Sequence, residues 1–547
     1  MQNKMYKKHF IIGDDFEYLK ASRIYEKSIW KSPVFDAIKL LALEEILQEI
    51  NPKKIIYLGN SIELHKSFEI LCNNLGILYN SKIKRPFRRL KPYDGKLSFL
   101  PEVVKALFHL IYRSKNLIRY KKRKDMQGPN GEENVLFCLP FTNFNDHELK
   151  KNKYRSEFIT NLPELIKDFN FNTIWLHYFV RSQKYTNDIE AINALNLMLS
   201  NRGEDDHRLL GEYANLLTLI RTFVKWLKIT LISIVVKTPL ESFQPHNSQV
   251  SLWPIMKNDW YRSLRGPDLI NNLIYYDLFN IALKNINPQQ FGFILYENQG
   301  FEKIFAYLWH KHNHGKLIGM IHSTVRFWDL RFSANFLIDS FSQPDILAVN
   351  GNGALNELKA SGYQMDKLIK VEALRYGYLT DTMKQNLINS EPSSKILVLG
   401  DYISFDTDEL MNLIANSVLK FNRNIVIHFK PHPNYSFEAS KYPNLNIVFE
   451  KEELRNLIPR FSLAITTNKT TASIETYIGG LKTIVMLNNN DLNFSPLRGV
   501  DGVSFVSCEE DLVKAINEKE NLKKNEILDY FFIDPNFKLW KKTLSSL

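Results

Sequence analysis

The chain has 547 residues, 44% hydrophobic and 24% charged, with 13 His and 3 Cys. A polymer of that size and apolar content buries a large core and divides into two or more domains, which excludes a disordered tail or a small cross-linked fold. Cys72, Cys138 and Cys508 are odd in number and far apart, so no disulfide framework and no C-x-x-C metal or redox site is expected, and a reducing compartment fits.

The N-terminal run MQNKMYKKHFIIGDD meets Asp14 and Asp15 after a very short apolar stretch and lacks the apolar core of a secretory signal, so a cytoplasmic chain is expected. Short β-branched or aromatic runs then alternate with helical patterns, as in βαβ units and parallel sheets. In the first part the predicted strands are 54–58, 135–140, 174–180, 291–296, 317–321 and 346–349. Two helical insertions interrupt the alternation, at about 81–126 and at 189–236. The first holds the net charge of the chain: fifteen Lys and Arg stand against Asp94, Glu102 and Asp125 between residues 81 and 125, a surplus equal to the overall +12. Within it Val103, Val104, Leu107, Leu110, Ile111, Leu117 and Ile118 fall at helical spacing, with Lys105, Arg113, Lys115, Arg119 and the basic run 121–124 between them. Such a helix suits an anionic membrane surface. The alternative is a solvated insertion whose apolar stripe packs on its own domain. No zinc-finger, RNP-like or helix-turn-helix pattern accompanies the charge, so no nucleic-acid partner is expected. The longest apolar run, 229–236, is well short of the ~20 residues that span a bilayer. Residues 253–266, WPIMKNDWYRSLRG, read as a loop rich in aromatic and polar groups.

From residue 393 the alternation is regular: strand 396–399, helix 408–419, strand 425–429, strand 447–449, helix 451–458, strand 463–466, helix 471–477, strand 483–487. The domains read as 1–385 and 393–510, with the polar stretch 386–395 as the hinge, where Pro392 breaks the helical pattern. A helical tail, 511–547, can pack back on the first domain. Two such α/β domains define a cleft, and open parallel sheets bind ligands beyond the carboxyl ends of their strands.

The residues that directly follow strands therefore carry the functional reading. Strand 425–429 runs into Lys430-Pro431-His432-Pro433, where two prolines deny the ladder and hold Lys430 and His432 on a stiff turn suited to a phosphate. Strand 463–466 runs into Thr467-Asn468-Lys469-Thr470-Thr471-Ala472-Ser473-Ile474-Glu475. Thr470 or Thr471 is a natural N-cap, and the first-turn amides with the helix dipole favour an anion. Glu475, one turn in, is placed to accept a ribose hydroxyl pair. A capping box that binds nothing is the bland alternative.

KPHP followed by a Ser/Thr-rich loop, a helix and a Glu resembles the donor half of GT-B glycosyltransferases that build bacterial surface polysaccharides, among them Kdo, sialic-acid, capsule-type and polyol-phosphate transferases. The resemblance continues through Tyr296–Lys303, Gly319–Asp329 and Val371–Tyr376, although threonines stand at 470 and 471 where serines are common. It implies two Rossmann-like domains facing a cleft. It also implies metal-independent transfer from a nucleotide-sugar donor, with a cytidine nucleotide held by Lys430, His432, Pro433, Thr470, Thr471, Ser473 and Glu475. The donor expected is CMP-activated Kdo or another nonulosonate, and the acceptor a glycan or lipid-linked precursor at the inner face of the plasma membrane. No further cofactor and no metal are expected. The alternatives are a polyol-phosphate transferase using CDP-glycerol or CDP-ribitol, and a non-catalytic adaptor that binds membrane or nucleic acid.

On the acceptor side, Glu297 ends a strand and is the first candidate for the catalytic carboxylate, either as a base or as a nucleophile. His322 also follows a strand and joins it as a catalytic candidate, and Asp259 is a further base or nucleophile. Arg326 and Glu302 are candidate substrate-binding residues, Arg326 toward a donor carboxylate or leaving phosphate. Arg375 and Tyr376 are expected to be structural. His310 and His314 share a helical face, yet no carboxylate lies close in sequence, and they read as an ordinary helix C-terminus.

Overall fold

The computed structural model describes residues 8–547 apart from 31, 84–98, 121–133, 142–143, 146–147, 150, 152–153, 182–184, 186, 191, 194–205, 334–339, 380–394, 422–424, 433–436, 490 and 519–529. A short hairpin, β1 (Ile11–Ile12) and β2 (Phe16–Glu17), and a parallel pair, β3 (Lys54–Gly59) and β4 (Leu78–Ile83), precede the main sheets. The first main sheet holds β5 (Asn134–Pro140), β6 (Asn172–Tyr178), β7 (Asp206–Leu209), β8 (Phe291–Leu295), β9 (Lys316–Met320), β10 (Ile346–Val349) and β11 (Leu368–Lys370). The second holds β12 (Lys395–Leu399), β13 (Val426–Lys430), β14 (Ile447–Phe449), β15 (Leu463–Thr467), β16 (Lys482–Met486) and β17 (Val503–Val506).

Every pairing in both sheets is parallel. The strand orders are β7-β6-β5-β8-β9-β10-β11 and β14-β13-β12-β15-β16-β17. Each is the doubly wound order, in which the chain winds outward one way, returns past its first strand and winds the other way. The switch points fall between β5 and β8 and between β12 and β15. Parallel sheets carry helices on both faces, so their strands are apolar at consecutive positions. In β12, Ile396 and Val398 enter one core while Leu397 and Leu399 enter the opposite one. In β5, Val135, Phe137 and Leu139 face one side and Leu136 and Cys138 the other.

Several expectations change. Residues 253–266 form a helix, Trp253–Arg265, ended at Gly266, because Pro254 sits in the first turn, where no amide donor is needed. Its Ile255, Asp259, Trp260, Ser263 and Leu264 are buried at helical spacing. The stretch 189–236 is not one helix: β7 and a 3-10 turn precede Leu216–Val235, whose start is fixed by the Asn215 side chain accepting the Thr218 amide at 2.8 Å. The helix of the basic insertion spans Glu102–Ile118, while the run at 121–124 and most of the hinge lie outside the described residues. The tail begins later than residue 511, because helix Glu509–Asn517 buries Leu512, Ala515 and Ile516 in the second domain. Only then does the chain return to the first domain, through helix Lys538–Ser546. There the Glu372 carboxylate accepts the Leu539 and Trp540 amides at 2.7 and 2.9 Å, and Trp540 is buried against Phe293. Among the described residues no helix is long and apolar enough to cross a membrane.

Candidate active site in the interdomain cleft

A cleft of about 1390 Å³ lies between the carboxyl ends of the two sheets. Three turns of the second domain line it: Gly400–Ile403 after β12, Lys430–His432 after β13, and Lys469–Ala472 after β15. They flank the switch point because β12 pairs with both β13 and β15. Gly400 makes this packing possible: a Cβ there would stand 3.2 Å from the His432 amide nitrogen and 3.4 Å from the Pro431 Cα.

His432, Thr470, Thr471 and Glu475 thus share one cleft. Thr470 rather than Thr471 supplies the cap, its Oγ1 accepting the Ala472 amide at 3.3 Å. The Thr471 hydroxyl makes no hydrogen bond among the described residues and remains available in the cleft wall. Ser473 is not a cleft residue: it is fully buried and donates to the Thr470 carbonyl at 2.9 Å, bracing the loop from behind. Lys430 borders the cleft, but its ammonium donates to the Glu452 carbonyl. Pro433 lies outside the described residues. Glu475 accepts from the Tyr378 hydroxyl, and burial raises its carboxyl against the pull of Arg375.

On the first domain the turn after β8 positions Glu297. Asn298 takes the left-handed conformation at φ 57°, and its buried amide is locked by accepting from Tyr296 Oη at 2.9 Å and donating to the Arg331 carbonyl at 2.6 Å. The reversal leaves Glu297 lining the cleft, paired with Arg331 at 3.0 Å and accepting from Gln299 Nε2 at 2.8 Å. Arg331 also grips Asp329 with Nε and Nη2, at 2.8 and 2.7 Å. Burial pushes the Glu297 carboxyl up, but Arg331 and His322 outweigh it and hold the group at about 2, so it is ionised at neutral pH. Its salt-bridge partner is Arg331.

His322 stands behind Glu297, with Nε2 3.5 Å from Oε1 and the ring edge-on to Phe158, and it does not line the main cleft. Burial holds its imidazole at about 4, so it is neutral at pH 7. Glu302 does not line the cleft either. Its Oε2 accepts the Glu297 and Gln299 amides, both at 2.9 Å, completing a capping box on helix Gly300–Lys311. Burial and the neighbouring Glu297 charge raise it to about 8. Asp259 lines the cleft beside Arg23, which approaches at 3.0 Å.

Arg326 joins the two domains. Its Nη1 donates to the Lys469 carbonyl at 2.8 Å and the Phe494 carbonyl at 3.2 Å, and the guanidinium lies over the Phe494 ring. Among the described residues no carboxylate forms an ion pair with it, and burial lowers it to about 10, so it remains a cation within the cleft wall. By contrast Lys469, beside it, is neutralised by Asp406 and Asp491. Sequence reasoning missed the turn at Gly400–Tyr402, whose signal was a Gly directly after the apolar run ILVL, and the clamp made by Asp329 and Arg331. Arg375, expected to be structural, borders the cleft.

The histidine cluster is structural. His310 bonds Phe341 and Asp345, and His312 bonds Asn280. His314 accepts from the Gln289 amide and donates to the Leu283 carbonyl, which fixes one neutral tautomer.

Two doubly wound parallel sheets facing one cleft across their switch points are the GT-B arrangement. No protein-family model and no curated protein matches the chain. Among solved structures, Methanocaldococcus jannaschii UDP-GlcNAc 2-epimerase, crystallised with UDP-GlcNAc and UDP, is similar at 12% identity and a TM-score of 0.38, covering 76% of this chain and 99% of its own. Anabaena Alr3699/HepE, in complex with UDP-glucose, is similar at 8% identity and a TM-score of 0.38, with 76% and 100% covered. The calicheamicin glycosyltransferase CalG4 gives 8% identity and 0.38, with 76% and 94% covered. These values describe a general likeness of chain path; the strand orders define the class.

Proposed function

We propose that the chain is a glycosyltransferase that moves a sugar from a nucleotide donor to a hydroxyl of a glycan or lipid-linked acceptor. One observation carries the reading: a buried guanidinium that forms no ion pair among the described residues, Arg326, sits at the seam where the threonine loop, the His432 turn and the Glu297 carboxylate line one cleft. A buried cation with no carboxylate in direct contact is matched to an anion brought by a ligand.

In this reading Arg326, the Thr471 hydroxyl and the His432 turn hold the donor phosphate, and Glu475 receives the ribose. The bond from the anomeric carbon to the phosphate oxygen breaks, and its electron pair leaves with the phosphate. The acceptor oxygen bonds the anomeric carbon and releases its proton. Glu297, held ionised at about 2 by Arg331, is a weak proton acceptor and serves as the fixed negative charge facing the developing oxocarbenium. Asp259, a cleft carboxylate that lies beside Arg23, is the candidate to receive the proton.

The resemblance assigns the donor as a CMP-activated nonulosonate. Titration calorimetry with CMP, CDP and UDP tests this: tightest binding of a cytidine nucleotide is expected, and a preference for UDP would replace the nonulosonate by a UDP-linked sugar. Binding of none of the three would remove the transferase reading. Mass spectrometry of the product separates sugar transfer from polyol-phosphate transfer, because only the latter adds phosphorus to the acceptor.

A further inference from the structure

Helices Glu102–Ile118 and Leu216–Val235 touch each other and pack on the same third helix, Pro267–Asn285. Their inward sides fill the core with Ala106 and Leu117 from one, and Leu219, Trp226 and Ile229 from the other. Their outward sides are not the polar surfaces that soluble helices present. On the longer helix Leu217, Ile220, Val224, Leu227, Leu231 and Ile234 are 40–59% exposed. On the shorter one the exposed stripe is Leu107, Phe108, Ile111, Tyr112 and Ile118, at positions spaced for one helical face. An apolar area of this extent marks an interaction site.

The charges within it select the partner. Lys115, Arg119, Arg221 and Lys228 are exposed on these stripes and make no ion pair among the described residues, and neither stripe holds an exposed carboxylate. Pairing with a second copy about a two-fold axis would set these cations against one another. An anionic bilayer accepts both features at once, apolar side chains below the headgroups and cations among them. We infer that this two-helix face is a docking surface that lies in the plane of an anionic lipid bilayer. The principal element is therefore Leu216–Val235, with helix Glu102–Ile118 beside it. The first turn of the shorter helix returns to the cleft, where Glu102 and Lys105 form part of the wall. If the transferase reading holds, the same helix leads from the bilayer to the acceptor side, which suits a lipid-linked acceptor.

Vesicle co-sedimentation of the full chain tests the surface without any nucleotide, so its failure leaves the transferase reading standing, and the converse holds too. Phosphatidylcholine vesicles and phosphatidylcholine–phosphatidylglycerol vesicles are compared. Binding to the second kind is expected, weakened by salt, and reduced about tenfold or more in the triple variant Ile220→Glu, Leu227→Glu, Leu231→Glu. Circular dichroism and the melting temperature establish that this variant is folded. A second variant, Lys115→Gln, Arg119→Gln, Arg221→Gln, Lys228→Gln, is expected to lose the preference for anionic vesicles. Unchanged binding of a folded triple variant overturns the proposal, as does failure to bind either vesicle. In the latter case a dimer that the same triple substitution dissociates would assign the face to a second copy of the chain.

Discussion

The two domains share one winding order and line the same cleft, yet their rims are built from different chemistry. The second domain presents a glycine, Pro431, threonine hydroxyls, a half-buried imidazole and the carboxylates of Asp401 and Glu475, and Lys469 there is cancelled by two aspartates. The first domain presents charge locked in place: Glu297, Arg331 and Asp329 as one ion-paired row, Asp259 with Arg23, and Arg326 reaching across the seam. Topology places the loops, and the loops decide the work. A rim rich in hydrogen-bond donors suits a phosphate, while a rim of preorganised ion pairs suits a reacting centre.

The largest effect that would break this division is at Glu297. Glu297→Gln keeps the shape and removes the charge, so turnover is expected to fall by about 10²–10⁴-fold while calorimetric nucleotide affinity stays within about twofold. Equal losses in both would place Glu297 among the nucleotide-binding groups. Next is Arg326→Gln. Affinity for a nucleoside diphosphate is expected to drop about 10–100-fold, with affinity for the corresponding nucleoside unchanged. A loss shared by nucleoside and nucleotide would make Arg326 a domain tie only.

The smallest effect sharpens the picture of the charged rim through pH. Glu302 binds a proton in the folded state up to about 8 and in the unfolded chain only up to its ordinary 4.5, so its contribution is present below 4.5 and lost as pH rises to about 8. In Glu302→Gln the amide oxygen can still accept the two amides. Melting curves are therefore expected to show little change at pH 4 and a gain of a few degrees for the variant at pH 8–9. His322 acts the other way: its folded value near 4 lies below the ordinary 6.5, so stability falls as pH drops from 6.5 toward 4.

The second domain was largely legible from sequence because its central strands are short, apolar and regularly spaced, and the turns at 430–432 and 469–472 follow them directly. What the sequence concealed was partnership across the chain. Nothing in the Glu297 neighbourhood announces Arg331 as its clamp, since the pairing depends on the left-handed turn at Asn298. Ser473 looks like Thr471 in a string of hydroxyls, but one helical step turns it into the core. The 253–266 segment was misread because its aromatic and polar mixture obscures a helical period that becomes plain once Asp259 and Trp260 are seen buried together. Edge strands β7, β11 and β17 are short and partly exposed, so they lack the continuous apolar run that identified the central strands.

The return of the chain to the first domain has a mechanical consequence. The outgoing and incoming segments run side by side at the seam, with Tyr376 stacked on Phe531 at 4.2 Å, and Ala373 and Asn350 bonded to Phe532 at 2.7 and 2.9 Å. The second domain is thus tied to the first at two places in the chain rather than one. Removal of residues 530–547 would take away the second of these ties, and a lower melting temperature of the truncated chain is expected to report the loss.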